Sequence, residues 1–266
     1  MGHARMTQRI ELAERRTAPR TSTRIPVLLK LRGFPDPLPA RAVDIGTSGI
    51  CVSTPSRFLV ADLTAVTFEL GNDRVTIPAE GRWQRLDNSG RGHVAGLMFV
   101  DVGRSVASAL RDFVLDHAAQ TARFLLEETA LTGLDLDDAI DTALLTRAAD
   151  YPVGRRIYEQ GKERSRGDSV FIVEHGSVVL EAQIPGAGRI LLDSIDRGAI
   201  FAGLPLLTDA AHMESAIASS DLRLIEIDPY SFATLEGTRP RVARRLARAI
   251  VQRRASARWA QPHRKS

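Results

Sequence analysis

Residues 41–53 read Arg41-Ala42-Val43-Asp44-Ile45-Gly46-Thr47-Ser48-Gly49-Ile50-Cys51-Val52-Ser53. Two short apolar runs flank a Gly-Thr-Ser-Gly turn, which is how a β-hairpin announces itself. Comparable runs lie on both sides of it. Residues 24–32 (RIPVLLKLR) form a strand-like stretch closed by the turn Gly33-Phe34-Pro35-Asp36-Pro37, and further strands are expected at 63–70, 74–78, 81–86 and 93–100. Gly71-Asn72-Asp73 and Asp87-Asn88-Ser89-Gly90 carry the side chains of tight turns. Five or six short strands with no helix between them predict a small antiparallel barrel.

Helical spacing follows. Val106, Leu110, Phe113, Val114 and Ala118 recur at three- and four-residue steps, predicting a connecting helix over 104–128 whose register caps the barrel. A second amphipathic helix is expected at 137–149. Beyond it, short β-rich runs are separated by regularly placed glycines: Tyr151-Pro152-Val153-Gly154, Ile157 to Gly161, and Asp168-Ser169-Val170-Phe171-Ile172-Val173 before Gly176. Glycines in this pattern imply tight turns in an all-β roll. A helix rich in arginine closes the chain.

The bulk numbers bound the rest. The chain has 266 residues, 44% apolar and 26% charged, with a net charge of +4. That is the composition of a soluble protein of about two domains. No run approaches the roughly 18 apolar residues of a membrane span, and Met1-Gly2-His3-Ala4-Arg5 lacks the apolar stretch of a secretory signal. The one cysteine, Cys51, sits in the apolar run Ile50-Cys51-Val52; a buried packing role and a cytoplasmic setting are expected for it. Metal-ligand spacings, a nucleophile elbow and a phosphate-binding glycine loop are not found, so a non-enzyme is expected.

A second segment pairs with the hairpin. Residues 15–20 read Arg15-Arg16-Thr17-Ala18-Pro19-Arg20. Pro19 excludes a shared helical face for Arg16 and Arg20 and predicts an extended segment before the first strand. Guanidinium forks match phosphate oxygens and the guanine O6/N7 edge, and their planes stack on purines. Asp44 can accept from guanine N1–H and N2–H, and Gly49 lets the backbone approach a base.

The two segments together resemble the PilZ family of cyclic di-GMP receptors, whose pattern is R-x-x-x-R followed by D/N-x-S-x-x-G. Arg16 and Arg20 match the first half, and Asp44 to Gly49 match the second, with Gly46 in place of the family's serine. The resemblance implies a β-barrel and a cyclic di-GMP site formed by Arg15, Arg16, Arg20, Asp44, Gly46, Thr47 and Gly49. Trp83 is read equally as a stacking platform for guanine or as barrel packing. The missing serine hydroxyl removes one hydrogen bond, typically ~1 kcal/mol or about fivefold in affinity.

Residues 130–255 similarly resemble the cyclic-nucleotide-binding domain of catabolite-activator type. In that family a glutamate takes the ribose 2′-hydroxyl and an arginine pairs with the cyclic phosphate. Aligned here are Phe201-Ala202-Gly203-Leu204 and Glu214-Ser215-Ala216, with Gly203 and Glu214 in those two roles. A carboxylate facing a phosphate repels it, so this cassette is expected to be degenerate.

The expected architecture is mainly β with helices. A basic leader (1–13) precedes a PilZ-like antiparallel β-barrel (14–103), a connecting helix (104–129), and a cyclic-nucleotide-binding-like β-roll with a basic terminal helix (130–266). No cofactor is expected beyond cyclic di-GMP as regulatory ligand, and no DNA-binding module is expected after the roll's terminal helix. The implied function is a cytoplasmic second-messenger receptor that signals through altered domain or protein-partner contacts. Alternatives are a ligand-free interaction scaffold with decayed nucleotide pockets, or a cyclic AMP-responsive regulator. Beyond Glu236 the chain has no acidic residue while arginine recurs nine times, at 239, 241, 244, 245, 248, 253, 254, 258 and 264. The apolar stripe Val242, Leu246 and Ile250 predicts a homodimer seam; the arginines are read as flanking that seam, as a solvated face, or as a contact for an anionic surface such as a membrane. Arg155, Arg156, Arg189 and Arg223 could supply another anion site, though no spacing singles them out.

Overall fold

The computed structural model describes residues 20–87, 90, 92–162, 168–208 and 210–256. Arg15, Arg16 and Trp259 lie outside them. The chain divides into two compact units, with the boundary after Thr121 and with Ala143–Ala148 belonging to the first. Among the described residues no helix is long and apolar enough to cross a membrane.

In the first unit seven strands are built: β1 (Arg20–Ser22), β2 (Pro26–Leu31), β3 (Leu38–Gly46), β4 (Gly49–Thr54), β5 (Leu63–Leu70), β6 (Asp73–Leu86) and β7 (His93–Phe99). They run in the order β1-β3-β2-β5-β6-β7-β4, and β4 pairs back onto β3. That last pairing closes six strands into an antiparallel barrel, and β1 lies against β3 outside the ring. Closure removes the open edges that a flat sheet of this size would expose.

Inward positions alternate as a half-buried strand requires. Val27, Leu29, Ile45, Ile50, Val52, Val66, Ile77, Ala95 and Leu97 form the core, each at most 3% exposed. Two strands expected at 74–78 and 81–86 are one continuous β6. The sheet absorbs Gly81 through a register shift between Gly81 and Trp83, a bulge that lets pairing continue where the sequence suggests a break. Gly81 is needed there, because a Cβ would sit 2.5 Å from the Val60 carbonyl oxygen.

Helix α1 (Arg104–Glu128) has the predicted bounds. Its first half closes the barrel, with Leu110 fully buried in the barrel core and Val106 and Phe113 packed around it.

Helix α2 (Leu136–Leu144), all but its last two residues in the second unit, is shorter than the helix expected over 137–149. Asp135 caps its start, accepting from the Asp138 amide at 2.8 Å. At its end the Thr146 hydroxyl donates to the Ala143 carbonyl at 2.8 Å, closing the last turn, and the following residues become β8 (Arg147–Tyr151).

Next come β9 (Arg156–Tyr158), β10 (Val170–His175), β11 (Val178–Ile184), β12 (Gly188–Ile195), β13 (Ile200–Ala202), the one-turn helix α3 (Leu204–Leu207), β14 (Ser215–Ala218) and β15 (Leu222–Ile227). They make two four-stranded sheets, β13-β10-β15-β8 and β12-β11-β14-β9. Phe171, Phe201, Val178, Ile195 and Leu224 fill the space between the sheets. The result is a β-roll.

Two helices complete the unit, α4 (Pro229–Thr238) and α5 (Pro240–Ser256). Asp228 caps α4 through the Ser231 amide at 2.8 Å, with Pro229 at its first position.

Helix α5 corrects one sequence expectation. Val242 and Leu246 are fully buried and Ile250 is 4% exposed within the single chain. Their apolar stripe is spent on this unit's own core and leaves no surface for the two-helix dimer seam read from the sequence.

Candidate ligand-binding site

The two signatures of the barrel meet in space. In the β1–β3 ladder Arg20 stands opposite Gly46, Thr21 opposite Ile45 and Ser22 opposite Asp44. Arg20 therefore belongs to a strand, where an extended segment ahead of the first strand was expected. Its Nη1 donates to Asp44 Oδ1 at 2.9 Å, joining halves 24 residues apart in sequence. The guanidinium side chain is 40% exposed and the carboxylate 16%. A half-exposed pair of this kind contributes only ~0–1 kcal/mol to stability, so its partners can be exchanged at small cost.

Asp44 is aimed by a bulge. The β3–β4 register shifts between Ala42 and Asp44, so two outward residues, Val43 and Asp44, stand between the core residues Ala42 and Ile45. Asp44 thus lies in β3, not in the turn; Thr47 and Ser48 alone make the hairpin turn. Gly49 follows, where a Cβ would meet the Leu97 carbonyl oxygen at 2.3 Å. The motif's final glycine is thus required by the β4–β7 approach, whatever its part in binding.

From Asp44 an outward row crosses the barrel wall. Cross-strand partners run from Asp44 to Cys51, from Cys51 to Gly96, and from Gly96 to Trp83. Three strand gaps place its ends about 14 Å apart. Trp83 lies over Gly96, whose absent side chain makes room for the ring: a Cβ there would sit 2.3 Å from the indole Nε1. The indole is nevertheless 43% exposed, and the Arg85 guanidinium stands 5.4 Å from its ring centroid. It therefore packs on the barrel and also presents a partly open aromatic surface.

Cys51 is buried, and burial, reinforced by the Asp44 carboxylate, pushes its thiol well above the usual thiol range. A thiol so strongly protonated is a packing group and no nucleophile. Gly96 and Arg85 were not singled out in the sequence. The signal for Gly96 was its outward place between the core residues Ala95 and Leu97.

The roll's cassette is organised differently. Gly203 has φ +75° and precedes α3; the space its side chain would need is taken by Ile250 Cδ1 and Val170 Cγ2, each 2.8 Å from an added Cβ. Neither Gly203 nor Leu204 has a side-chain oxygen to offer a ribose hydroxyl. The Tyr158 hydroxyl donates to Glu214 Oε1 at 3.2 Å, and the His212 ring stacks on Tyr158 with centroids 4.1 Å apart. Burial raises the Glu214 carboxyl above its ordinary value. Ser215 Oγ accepts from the Gln160 amide at 3.0 Å, and Ala216 is buried opposite Tyr158.

Three of the four arginines considered as a second anion site are paired with carboxylates. Arg156 pairs with Glu159, Arg189 with Glu181, and Arg223 with Glu174 and Asp150.

Comparison with known proteins finds both domains. The PilZ domain model matches residues 14–116, and the cyclic nucleotide-binding domain model matches residues 149–236. The chain carries a PilZ domain followed by a cyclic nucleotide-binding domain. No curated protein matches it. Among solved structures, it is similar to a cyclic nucleotide-binding domain from Methylobacillus flagellatus KT, at 14% identity and TM-score 0.46, over 54% of this chain and 81% of that one. The catabolite activator protein of Thermus thermophilus is 24% identical at TM-score 0.44, over 48% of this chain and 59% of that one. The regulatory domain of Toxoplasma gondii PKA, solved with cAMP, is 19% identical at TM-score 0.48, over 90% and 78%.

Proposed function

We propose that this protein is a cytoplasmic receptor for cyclic di-GMP. The carrying observation is the ion pair of Arg20 with Asp44, which brings both halves of the PilZ signature to one point of the barrel wall. In the ligand-free chain each group is the other's counter-charge. The ligand offers better partners to both, with phosphate and the guanine Hoogsteen edge for the guanidinium and the guanine N–H edge for the carboxylate. Arg15 and Arg16 would add to the guanidinium set. Trp83 would lend its exposed ring surface beside Arg85.

In the second domain, the sequence aligns the half-buried Glu214 with the family's phosphate-pairing arginine. This supports a domain that does not take cyclic AMP in the family's manner and serves contacts with another protein. Neither domain is a catalytic module, and the protein acts by binding.

Isothermal titration of the full chain with cyclic di-GMP, cyclic AMP and cyclic GMP tests this reading. Cyclic di-GMP is expected to bind in the micromolar range or tighter, and cyclic AMP to give no heat. Absence of both heat and thermal shift with saturating cyclic di-GMP would overturn the receptor reading. The ligand-free scaffold, which Gly46 and the Glu214–Tyr158 contact favour, would then take its place.

A further inference from the structure

We infer that the second unit carries a separate site for a nucleoside polyphosphate, in the cleft between α5 and the loop that leads into α2. The cleft has a volume of about 500 Å³ and is lined by Gly133, Leu134, Asp135, Asp138, Arg241, Arg244, Arg245 and Arg248. That volume lies within the usual range of small-ligand sites, roughly 300–1,000 Å³. The arginines fall at steps of three, four and seven along α5, so they share one face over two turns. Arg244 Nε donates to the Pro240 carbonyl at 3.1 Å, and Arg245 Nη1 donates to the Thr132 carbonyl.

Among the described residues none of these four is paired with a carboxylate, whereas their neighbours on the same chain segment are. Arg239 bonds Asp141 at 2.7 Å through Nε and stands 3.4 Å from Asp138, and Arg253 bonds Asp193 at 3.0 Å. The four cations repel one another, and those in the first turns oppose the helix dipole. Beyond the backbone contacts of Arg244 and Arg245, fold stability gives no reason to gather them there. An anionic ligand does, since several guanidinium forks on successive turns match a chain of phosphates.

The opposite wall narrows the ligand class. Asp138 faces Arg239, and one oxygen of Asp135 accepts from the Asp138 amide at 2.8 Å. A carboxylate here repels an extended anionic surface such as a membrane or a nucleic-acid duplex. It suits a small ligand that is anionic at one end and a hydrogen-bond donor at the other. A base amino group or ribose hydroxyl would donate to Asp135, with Leu134 as its apolar contact, while the phosphates meet the arginines.

The experiment is isothermal titration of the full chain with ATP, GTP and inorganic tripolyphosphate, at low and at raised salt. We expect at least one nucleotide to bind more tightly than tripolyphosphate, with affinity falling as salt rises. Arg244→Gln with Arg248→Gln, both exposed positions, should weaken it at least tenfold. Asp135→Asn, which keeps the cap oxygen, should weaken the nucleotide and strengthen tripolyphosphate. Arg20→Ala should leave all of this unchanged, which separates the site from the barrel and from the fate of the cyclic di-GMP reading. The inference is overturned if no nucleotide binds, if tripolyphosphate binds as well as the nucleotides, or if the double arginine variant binds normally. Binding of phosphatidylglycerol vesicles without binding of free nucleotide would overturn it too.

Discussion

The barrel and the roll match a PilZ domain and a cyclic nucleotide-binding domain, and their candidate site residues differ in charge. On the barrel wall a guanidinium waits in a weak, half-exposed pair with a carboxylate. In the roll the half-buried Glu214 carboxylate is held by a tyrosine hydroxyl. The frame survives in both because the core residues and the turn glycines specify it. The floor of the cassette reinforces the contrast: in the roll it is packed by Ile250 of α5, whereas at the motif the barrel leaves its outer face in contact with solvent.

The largest expected effect tests whether α5 belongs to the roll's interior. Leu246→Asp places an unpaired charge among fully buried neighbours and should cost about 3–5 kcal/mol. Thermal denaturation should show the second domain melting early while the barrel's transition stays in place. An unaltered second transition accompanied by loss of a dimer in sedimentation would restore the seam read from the sequence.

Next in size, Arg20→Ala should weaken cyclic di-GMP binding by ~2 kcal/mol, roughly thirtyfold. The double variant with Asp44→Ala should fall short of the sum of the single losses, because the two groups touch. Full additivity in titration would place them in separate roles.

A pH experiment addresses the roll. The Glu214 carboxyl titrates above its unfolded value of 4.5. Folding therefore favours its protonated form: as pH rises above 4.5 the unfolded chain loses this proton first and stability falls, levelling off once the raised folded value is passed. Chemical denaturation should show that loss in the wild type and a smaller one in Glu214→Gln. Equal slopes in the two proteins would mean that Glu214 is not the group responsible.

The smallest effect concerns the departure at Gly46. Gly46→Ser should tighten cyclic di-GMP binding severalfold, about 1 kcal/mol, as measured by titration. An unchanged or weaker affinity would mean that this position does not face the ligand.

Much of the fold was legible because the signals are local. The alternation over Leu63–Leu70 and the three-and-four spacing from Val106 to Ala118 gave β5 and α1 their observed bounds. What failed was long-range. Gly81 reads as a break, yet a bulge carries β6 through it. The end of α2 depends on Thr146 and on the residues after it joining a sheet, which periodicity over 137–149 cannot register. The burial of Val242, Leu246 and Ile250 was hidden for the same reason: the stripe looks narrow until Gly203, far away in sequence, is seen beneath Ile250.

The site divides along the same line. Residue types at Arg20 and Asp44 named the chemistry, but the β1–β3 register that joins them, and the row through Cys51 and Gly96 to Trp83, exist only in the closed barrel.

The packing of Ile250 against Gly203 also sets an order of events during synthesis. The barrel has all its strands once Phe99 has been made, whereas the apolar face of the roll around Val170 and Gly203 lacks cover until α5 has been added. About 150 residues separate the two moments, and at roughly 5–20 residues per second that is on the order of 8–30 s. Through that interval the apolar floor around Val170 and Gly203 has no cover from its own chain. The second domain is therefore the one whose nascent form calls for chaperone protection.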